Sequence, residues 1–273
     1  MEQLDVFLLG ERVGVLESDR GKLTFHYLPE YLRRSDAAAI SYSLPLQSEP
    51  FDPVVTEYEP VKKRSDSYQS EAELAIGGDC AGAIALYPPA CTKTADASAP
   101  TFRELSDEEA SQILMDLPKR PLNIGKEDGF RISGAGAQDK LIACVKEERI
   151  VLPLYGAPST HIIKPPVAAY RDSVFNEFFC MRLAQKMGLP VPECGILTLK
   201  DVPYYCVTRF DRQNKDGRIS RLHQEDFCQL LSVAPEKKYE SEGGPTIPQC
   251  FQLIKKMRLG AAGQIYFLRR IIF

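Results

Sequence analysis

Ser133-Gly134-Ala135-Gly136-Ala137-Gln138-Asp139-Lys140 is a glycine- and alanine-rich loop that runs straight into the apolar stretch Leu141-Ile142-Ala143-Cys144-Val145, which reads as a strand. His161-Ile162-Ile163-Lys164 ends a second strand, and Glu177 follows in Phe175-Asn176-Glu177-Phe178-Phe179. Ser173 is a candidate N-cap for this helix, and Phe175, Phe178, Phe179 and Leu183 fall at the spacing of one helical face. Gly188 closes it, and Pro190 and Pro192 prevent its resumption. Strands and helices thus mix along the chain, and the fold class expected is α+β.

The order of these parts has a chemical meaning. A bound phosphate needs backbone N–H donors at close range, and Gly134, Ala135, Gly136 and Ala137 let the chain approach one without side-chain collision. Lys164, at a strand end, can reach a phosphate as a compact point charge. Glu177, on the next helix, can hold that lysine in an ion pair. Protein kinases hold the phosphates of ATP with a glycine loop, a strand lysine and a helix glutamate in this order. Taken singly, the loop also fits a tight turn, Lys164 a surface lysine and Glu177 a solvated helix face. The loop matches neither the P-loop pattern nor the kinase G-x-G-x-x-G.

Outward from this centre, the chain begins as a β meander: Leu4–Leu9, a Gly10-Glu11 turn, Arg12–Leu16, and Lys22–Tyr27 after the Asp19-Arg20-Gly21 turn. Tyr42-Ser43-Leu44-Pro45-Leu46 is a short apolar segment. Pro50, Pro53 and Pro60 interrupt the polar stretch that follows, before Leu74-Ala75-Ile76 and a strand at Gly82–Tyr87. Residues 88–100, rich in Pro, Ala, Ser and Thr, read as a linker or surface loop. Ser106-Asp107-Glu108-Glu109 has the capping-box arrangement and starts a helix that Pro118 stops. Beyond the Glu177 helix come strands at Gly195–Leu199 and Pro203–Thr208, a helix from about Gln224 to Leu231, and a final helix at Gln264–Phe273.

Composition narrows the class. With 273 residues the chain can hold two packed units, and 44% apolar with 26% charged residues is ordinary globular usage. The formal charge of −3 gives no global basic field for nucleic acid or anionic membrane. No apolar run approaches the roughly 18–20 residues that span a bilayer, and the acidic start Met1-Glu2-Gln3-Leu4-Asp5 is unlike a signal peptide. The expectation is a cytoplasmic protein without membrane contact. The eight cysteines and three histidines are scattered without metal-ligand spacing, so buried or partly buried thiols and no structural metal are expected.

The motifs together resemble the HipA family of bacterial serine/threonine kinases, the toxin half of a toxin–antitoxin pair. The resemblance rests on Arg131–Lys140, Thr160–Lys164 and Asn176-Glu177, and extends through Arg209-Phe210-Asp211-Arg212, Leu222–Gln229 and Lys238–Pro245. It is dense from about 128 to 250 and looser earlier, where Tyr42–Leu46 and Ala75-Ile76-Gly77-Gly78-Asp79 still fit. It implies a β-rich, HipA-like N-terminal subdomain over 1–122. A kinase-like domain follows over 123–273, comprising an N-lobe and the beginning of a helical C-lobe.

By the same resemblance, Gly134, Ala135, Gly136, Ala137, Gln138 and Lys140 would cover the ATP phosphates, and Lys164 would contact them while paired to Glu177. Thr208, Arg209 and Phe210 would form the hinge against adenine. Ser133 occupies the position of an autophosphorylated serine, where a phosphate dianion would compete for the donors meant for ATP and switch nucleotide binding off. An intact family member would use ATP with Mg²⁺ to phosphorylate a protein serine, the substrate resemblance pointing to an aminoacyl-tRNA synthetase. The implied partner is a small DNA-binding antitoxin of the HipB type, so that DNA is met only indirectly.

This sequence departs from the family pattern in three places. Residues 51–72 are polar and short where an apolar helix is usual, and Thr208 stands where an acidic hinge residue is common. The helix Gln264–Phe273 stops in mid-pattern without a cap, and the catalytic loop and the metal-binding aspartate are not found, so no catalytic or metal residue is assigned within the chain. A general base alone is worth about 10²–10⁴ in rate. The expectation is a C-terminally truncated kinase without activity; the alternative is a non-catalytic ATP- or antitoxin-binding remnant that modulates operator binding. A coincidental fold without a nucleotide site is the third reading.

Overall fold

The computed structural model describes residues 2–19, 22–51, 82–87, 89, 101–117, 138–154, 157–215, 218–233 and 237–273. Within them the chain is a mixed α+β protein of three sheets and six α-helices, the class that the sequence predicts. Leu74–Ile76, most of the 88–100 stretch and the polar 52–72 segment lie outside the described residues.

The opening meander forms as read. Strands β1 (Glu2–Leu8), β2 (Glu11–Asp19) and β3 (Lys22–Tyr27) pair antiparallel, with Leu4 opposite Leu16 and Leu16 opposite Phe25. A one-turn helix, α1 (Pro29–Leu32), follows, and β4 (Ile84–Tyr87) adds on the far side of β1 to give the order β3-β2-β1-β4. Val13, Val15, Phe25 and Tyr27 are buried here, and the Phe25 and Tyr27 rings meet edge-on with centroids 4.8 Å apart.

The second sheet has six strands. They are β5 (Thr101–Glu104), β6 (Leu141–Lys146), β7 (Arg149–Leu154), β8 (His161–Lys164), β9 (Cys194–Leu199) and β10 (Val202–Thr208), in the order β5-β7-β6-β8-β10-β9. Between β5 and β6 the helix α2 (Asp107–Asp116) covers one face. Its start follows from sequence: the Ser106 hydroxyl accepts from the Glu109 N–H, and the Glu109 carboxylate accepts from the Ser106 N–H at 2.9 Å. Strand alternation then sends Leu141, Ala143, Ile150, Leu152, Ile163 and Tyr204 toward Leu114 and Leu117 of this region, forming one apolar cluster. β5 and α2 precede residue 123 yet build this six-stranded layer.

Helix α3 (Ser173–Lys186) carries Glu177. Ser173 is its first helical residue rather than its cap, because its hydroxyl accepts from the Val167 N–H at 2.9 Å. At the other end Gly188, at φ +73°, donates to the Gln185 carbonyl while Leu189 donates to the Ala184 carbonyl, the Schellman closure that only glycine reaches without strain. The aromatic face expected to pack does not: Phe175, Phe179 and Leu183 are exposed, whereas the small Val174 and Ala184 are buried. Burial on α3 follows the small side chains, which admit close approach.

Contacts divide the chain into two units. Met1–Ala37, Gln47–Cys180 and Pro192–Gln224 form the first, with both large sheets and the polar hairpin β11 (Arg212–Lys215) and β12 (Arg218–Arg221). Ala38–Leu46, Met181–Val191 and Glu225–Phe273 form the second. It holds α4 (Phe227–Leu230), a 3₁₀ turn at Glu240–Glu242, α5 (Ile247–Lys256) and α6 (Gly260–Ile272). Phe227, Phe251 and Phe267 pack ring to ring, and Arg269 donates to the Met187 carbonyl at 3.1 Å. The helix expected over 224–231 shrinks to four residues because Asp226 takes the cap position and closes a capping box with Gln229. α5, capped by Thr246, and β7 were not read from the sequence.

Candidate functional site

Strand β8 is central in its sheet, paired antiparallel to β6 and β10, so its last residue is fixed on both sides. That residue is Lys164, opposite Tyr205. Alternation puts Lys164 and Tyr205 on the face away from the α2 cluster, and the ammonium sits 5.6 Å from the centre of the Tyr205 ring. On that same side Glu177, early in α3, places Oε1 at 2.5 Å from Lys164 Nζ. Both side chains are half-buried, at 21% and 32% exposure, so the pair is shielded more than a surface ion pair and holds its geometry better. Burial, reinforced by neighbouring Cys194, raises the Tyr205 phenol above its ordinary value, leaving it neutral beside the pair.

Of the glycine loop, Ser133, Gly134, Ala135, Gly136 and Ala137 lie outside the described residues. Its last part is placed: the Gln138 amide nitrogen reaches the Pro165 carbonyl at 3.5 Å, at the outer limit of a hydrogen bond, and Lys140 leads into β6. The loop therefore ends beside the residue that follows Lys164.

The residues expected to form a hinge, Thr208, Arg209 and Phe210, differ from one another in their surroundings. Thr208 donates through its N–H to the Glu193 carbonyl at 2.8 Å and through its hydroxyl to the same oxygen at 3.1 Å. Phe210 is 69% exposed. Arg209 is buried, and its guanidinium is spoken for: Nε and Nη2 fork onto the Asp211 carboxylate at 2.9 and 2.7 Å, and Nη1 meets the Ser159 hydroxyl at 2.9 Å. The Arg209 guanidinium is therefore not available to a ligand. Asp211, buried and not singled out by the sequence reading, also accepts from the Gly82 N–H at 2.9 Å and pairs with Arg212 at 2.9 Å. The signal was present in the acid flanked by basic residues at Arg209-Phe210-Asp211-Arg212, but nothing local announced burial.

A cleft of about 340 Å³ opens on the opposite face of the sheet, lined by Val145, His161, Glu193, Cys206 and Thr208 among others. Cys206 on its wall points to the face opposite Tyr205. Burial lowers the His161 pKa against the opposing pull of Glu193, and His161 Nδ1 shares a hydrogen bond with the Thr160 hydroxyl at 2.7 Å. Burial, then neighbouring Cys194, pushes the Cys206 thiol up to about 11, which makes it inert at neutral pH. Cys144 and Cys250 are buried and Cys194, Cys206 and Cys228 partly buried, but Cys180 is exposed, against the expectation of buried or partly buried thiols. Among the described residues, no helix is long and apolar enough to cross a membrane.

With this geometry in hand, comparison with known proteins is direct. Residues 132–273 match the HipA-like C-terminal domain, and residues 4–67 match the HipA N-terminal domain. A Sinorhizobium fredii protein that carries the provisional name kinase Y4mE is 36% identical over 93% of this chain and 65% of its own length. The serine/threonine-protein kinase toxin HipA of Shewanella oneidensis is 37% identical over 62% of this chain and 38% of its own length. The solved complex of HipA, HipB and operator DNA from Shewanella oneidensis MR-1 contains a chain matched at a TM-score of 0.65 and 28% identity, over 90% of this chain and 60% of that one. The chain thus spans about two thirds or less of these relatives. Matched along its length by both domains of one family, and sharing the fold found in that complex, this chain belongs to the HipA family.

Proposed function

We propose that residues 1–273 hold the nucleotide-binding part of a HipA-type serine/threonine protein kinase. The observation that carries this reading is the Lys164–Glu177 pair at 2.5 Å, built on a central strand end and the following helix, with the glycine loop ending alongside. Lys164 donates to the phosphates of ATP, and Glu177 keeps its ammonium aimed there. Gly134, Ala135, Gly136 and Ala137 supply backbone N–H groups, with Gln138 and Lys140 at the loop's end, and the backbone of Thr208, Arg209 and Phe210 faces the adenine. The half-buried setting of the pair fits a polyanion, since a fixed ammonium in a partly dry site binds phosphate more strongly than one in bulk water.

Bound ATP with Mg²⁺ would supply the transferable γ-phosphoryl. Among the described residues no group of three or more His, Cys, Asp or Glu could hold a metal ion, and no residue of 1–273 is assigned as the catalytic base. On this reading the polypeptide 1–273 by itself binds nucleotide, and transfer of phosphate to protein needs a catalytic base that no residue of 1–273 is assigned to supply. In a chain that carries the catalytic loop, the acceptor is a protein serine, with an aminoacyl-tRNA synthetase as the family's substrate class, and phosphorylation of Ser133 opposes nucleotide binding. The partner is a small DNA-binding antitoxin of the HipB type, a reading supported by the HipA, HipB and operator DNA complex of the Shewanella neighbour.

Two experiments test this reading. Transfer of labelled phosphate from ATP to protein by residues 1–273, abolished in Lys164→Ala, would contradict the non-catalytic assignment. Co-expression with a helix-turn-helix antitoxin should give a complex that survives gel filtration; its absence at micromolar concentration would remove the partner.

A further inference from the structure

We propose that Asp211 is a positioning residue that sets the hinge backbone for the adenine end of the nucleotide site, an inference resting on the nucleotide reading above. The hinge residue Arg209 is held on two sides. Its N–H donates to the Thr160 carbonyl at 2.8 Å, and its guanidinium spans Ser159 at 2.9 Å and both oxygens of Asp211. Asp211 in turn is tied on three further sides. Its carboxylate accepts from the Gly82 N–H and pairs with Arg212, and its carbonyl accepts from the Leu222 N–H at 2.9 Å. Arg212 completes the loop by donating to the Gly82 carbonyl at 3.2 Å.

The side chains of Arg209, Asp211 and Arg212 are each 4% exposed or less. Two guanidiniums therefore share one carboxylate out of water, where removal of one partner is costly. Such an arrangement tolerates little displacement, and it holds the main chain from Thr208 to Arg212 in register with the entry to β8. Gly82 is part of the device. It sits at φ +72°, and a Cβ there would meet the Gln224 main-chain nitrogen at 3.0 Å, so only glycine brings its N–H to Asp211. The segment leading into β4 of the first sheet is thereby tied to the hinge of the second.

Asp211 touches the hinge and not the phosphate end, so its effect is specific to the adenosine part of the ligand. The test measures binding of ATP and of inorganic tripolyphosphate to wild type, Asp211→Asn, Arg209→Lys and Lys164→Ala, with thermal melts to confirm folding. Arg209→Lys preserves the charge balance while abolishing the fork, and so serves where the loss of the carboxylate prevents folding. The expected result is an ATP affinity lowered about tenfold or more in either hinge variant, the scale of a lost charge-assisted bond, with tripolyphosphate affinity unchanged. Lys164→Ala weakens both ligands. Equal loss of ATP and tripolyphosphate, or no loss of ATP, in a folded hinge variant overturns the role of Asp211 alone. If wild type binds neither ligand, the nucleotide reading falls and this inference with it.

Discussion

Glu177 and Lys164, thirteen residues apart in sequence, meet at 2.5 Å across the gap between a helix and a strand end. β8 is held by β6 and β10, and α3 begins only after the Pro165–Asp172 connection, so the pair depends on both elements keeping their places. Removing the carboxylate leaves Lys164 with its charge but without a fixed direction. Glu177→Ala should lower ATP affinity by about tenfold, the scale of one charge-assisted interaction. The double variant with Lys164→Ala should be no weaker than Lys164→Ala alone, because the two residues act as one unit. Additive losses in calorimetric titrations would separate them.

Stability should fall on mild acidification. The folded His161 pKa is depressed, by burial first, with Glu193 opposing. An unfolded chain, titrating near about 6.5, therefore binds the proton more readily than the folded one. The contribution is present above that value and is lost as pH falls through the folded pKa. Asp211 adds the same sign at lower pH: burial acts to raise its pKa, but the Arg209 hydrogen bonds, Gly82 and Arg212 outweigh it and the net shift is downward. Denaturation midpoints should drop between about pH 7 and 5, and His161→Gln should flatten that drop. A wild-type curve that is flat over this range contradicts the assignment.

The α2 helix start offers a local test. Ser106→Ala removes the acceptor for the Glu109 N–H and should cost about 1 kcal/mol, a fall of roughly 2–4 °C in Tm. Leu114, fully buried in the cluster with Leu141 and Tyr204, should cost about 2–5 kcal/mol on truncation to alanine. Thermal and urea melts measure both, and a larger loss in the cap variant than in the core variant would reverse the ranking.

Much of this was legible in the sequence because the signals are local. The capping box at Ser106, the His161–Lys164 strand and the Gly188 closure each follow from a few adjacent residues, and each appears where expected. The reading failed where tertiary packing decides. Phe175, Phe179 and Leu183 have core spacing, yet the α3 side that packs carries Val174 and Ala184, and periodicity cannot choose between two apolar faces. β11 and β12 are polar hairpin strands without an alternation to detect. Asp211 looked like one more charged residue; it is buried, and one of its partners is the Gly82 N–H, more than a hundred positions away.

The most direct test of the central claim is a calorimetric titration of ATP into purified residues 1–273 and into Lys164→Ala, with circular dichroism to show that both are folded. The account predicts saturable one-to-one binding to wild type, weakened by about tenfold or more in the variant. No heat of binding to folded wild type at millimolar ATP, or equal affinity in the two proteins, would contradict it.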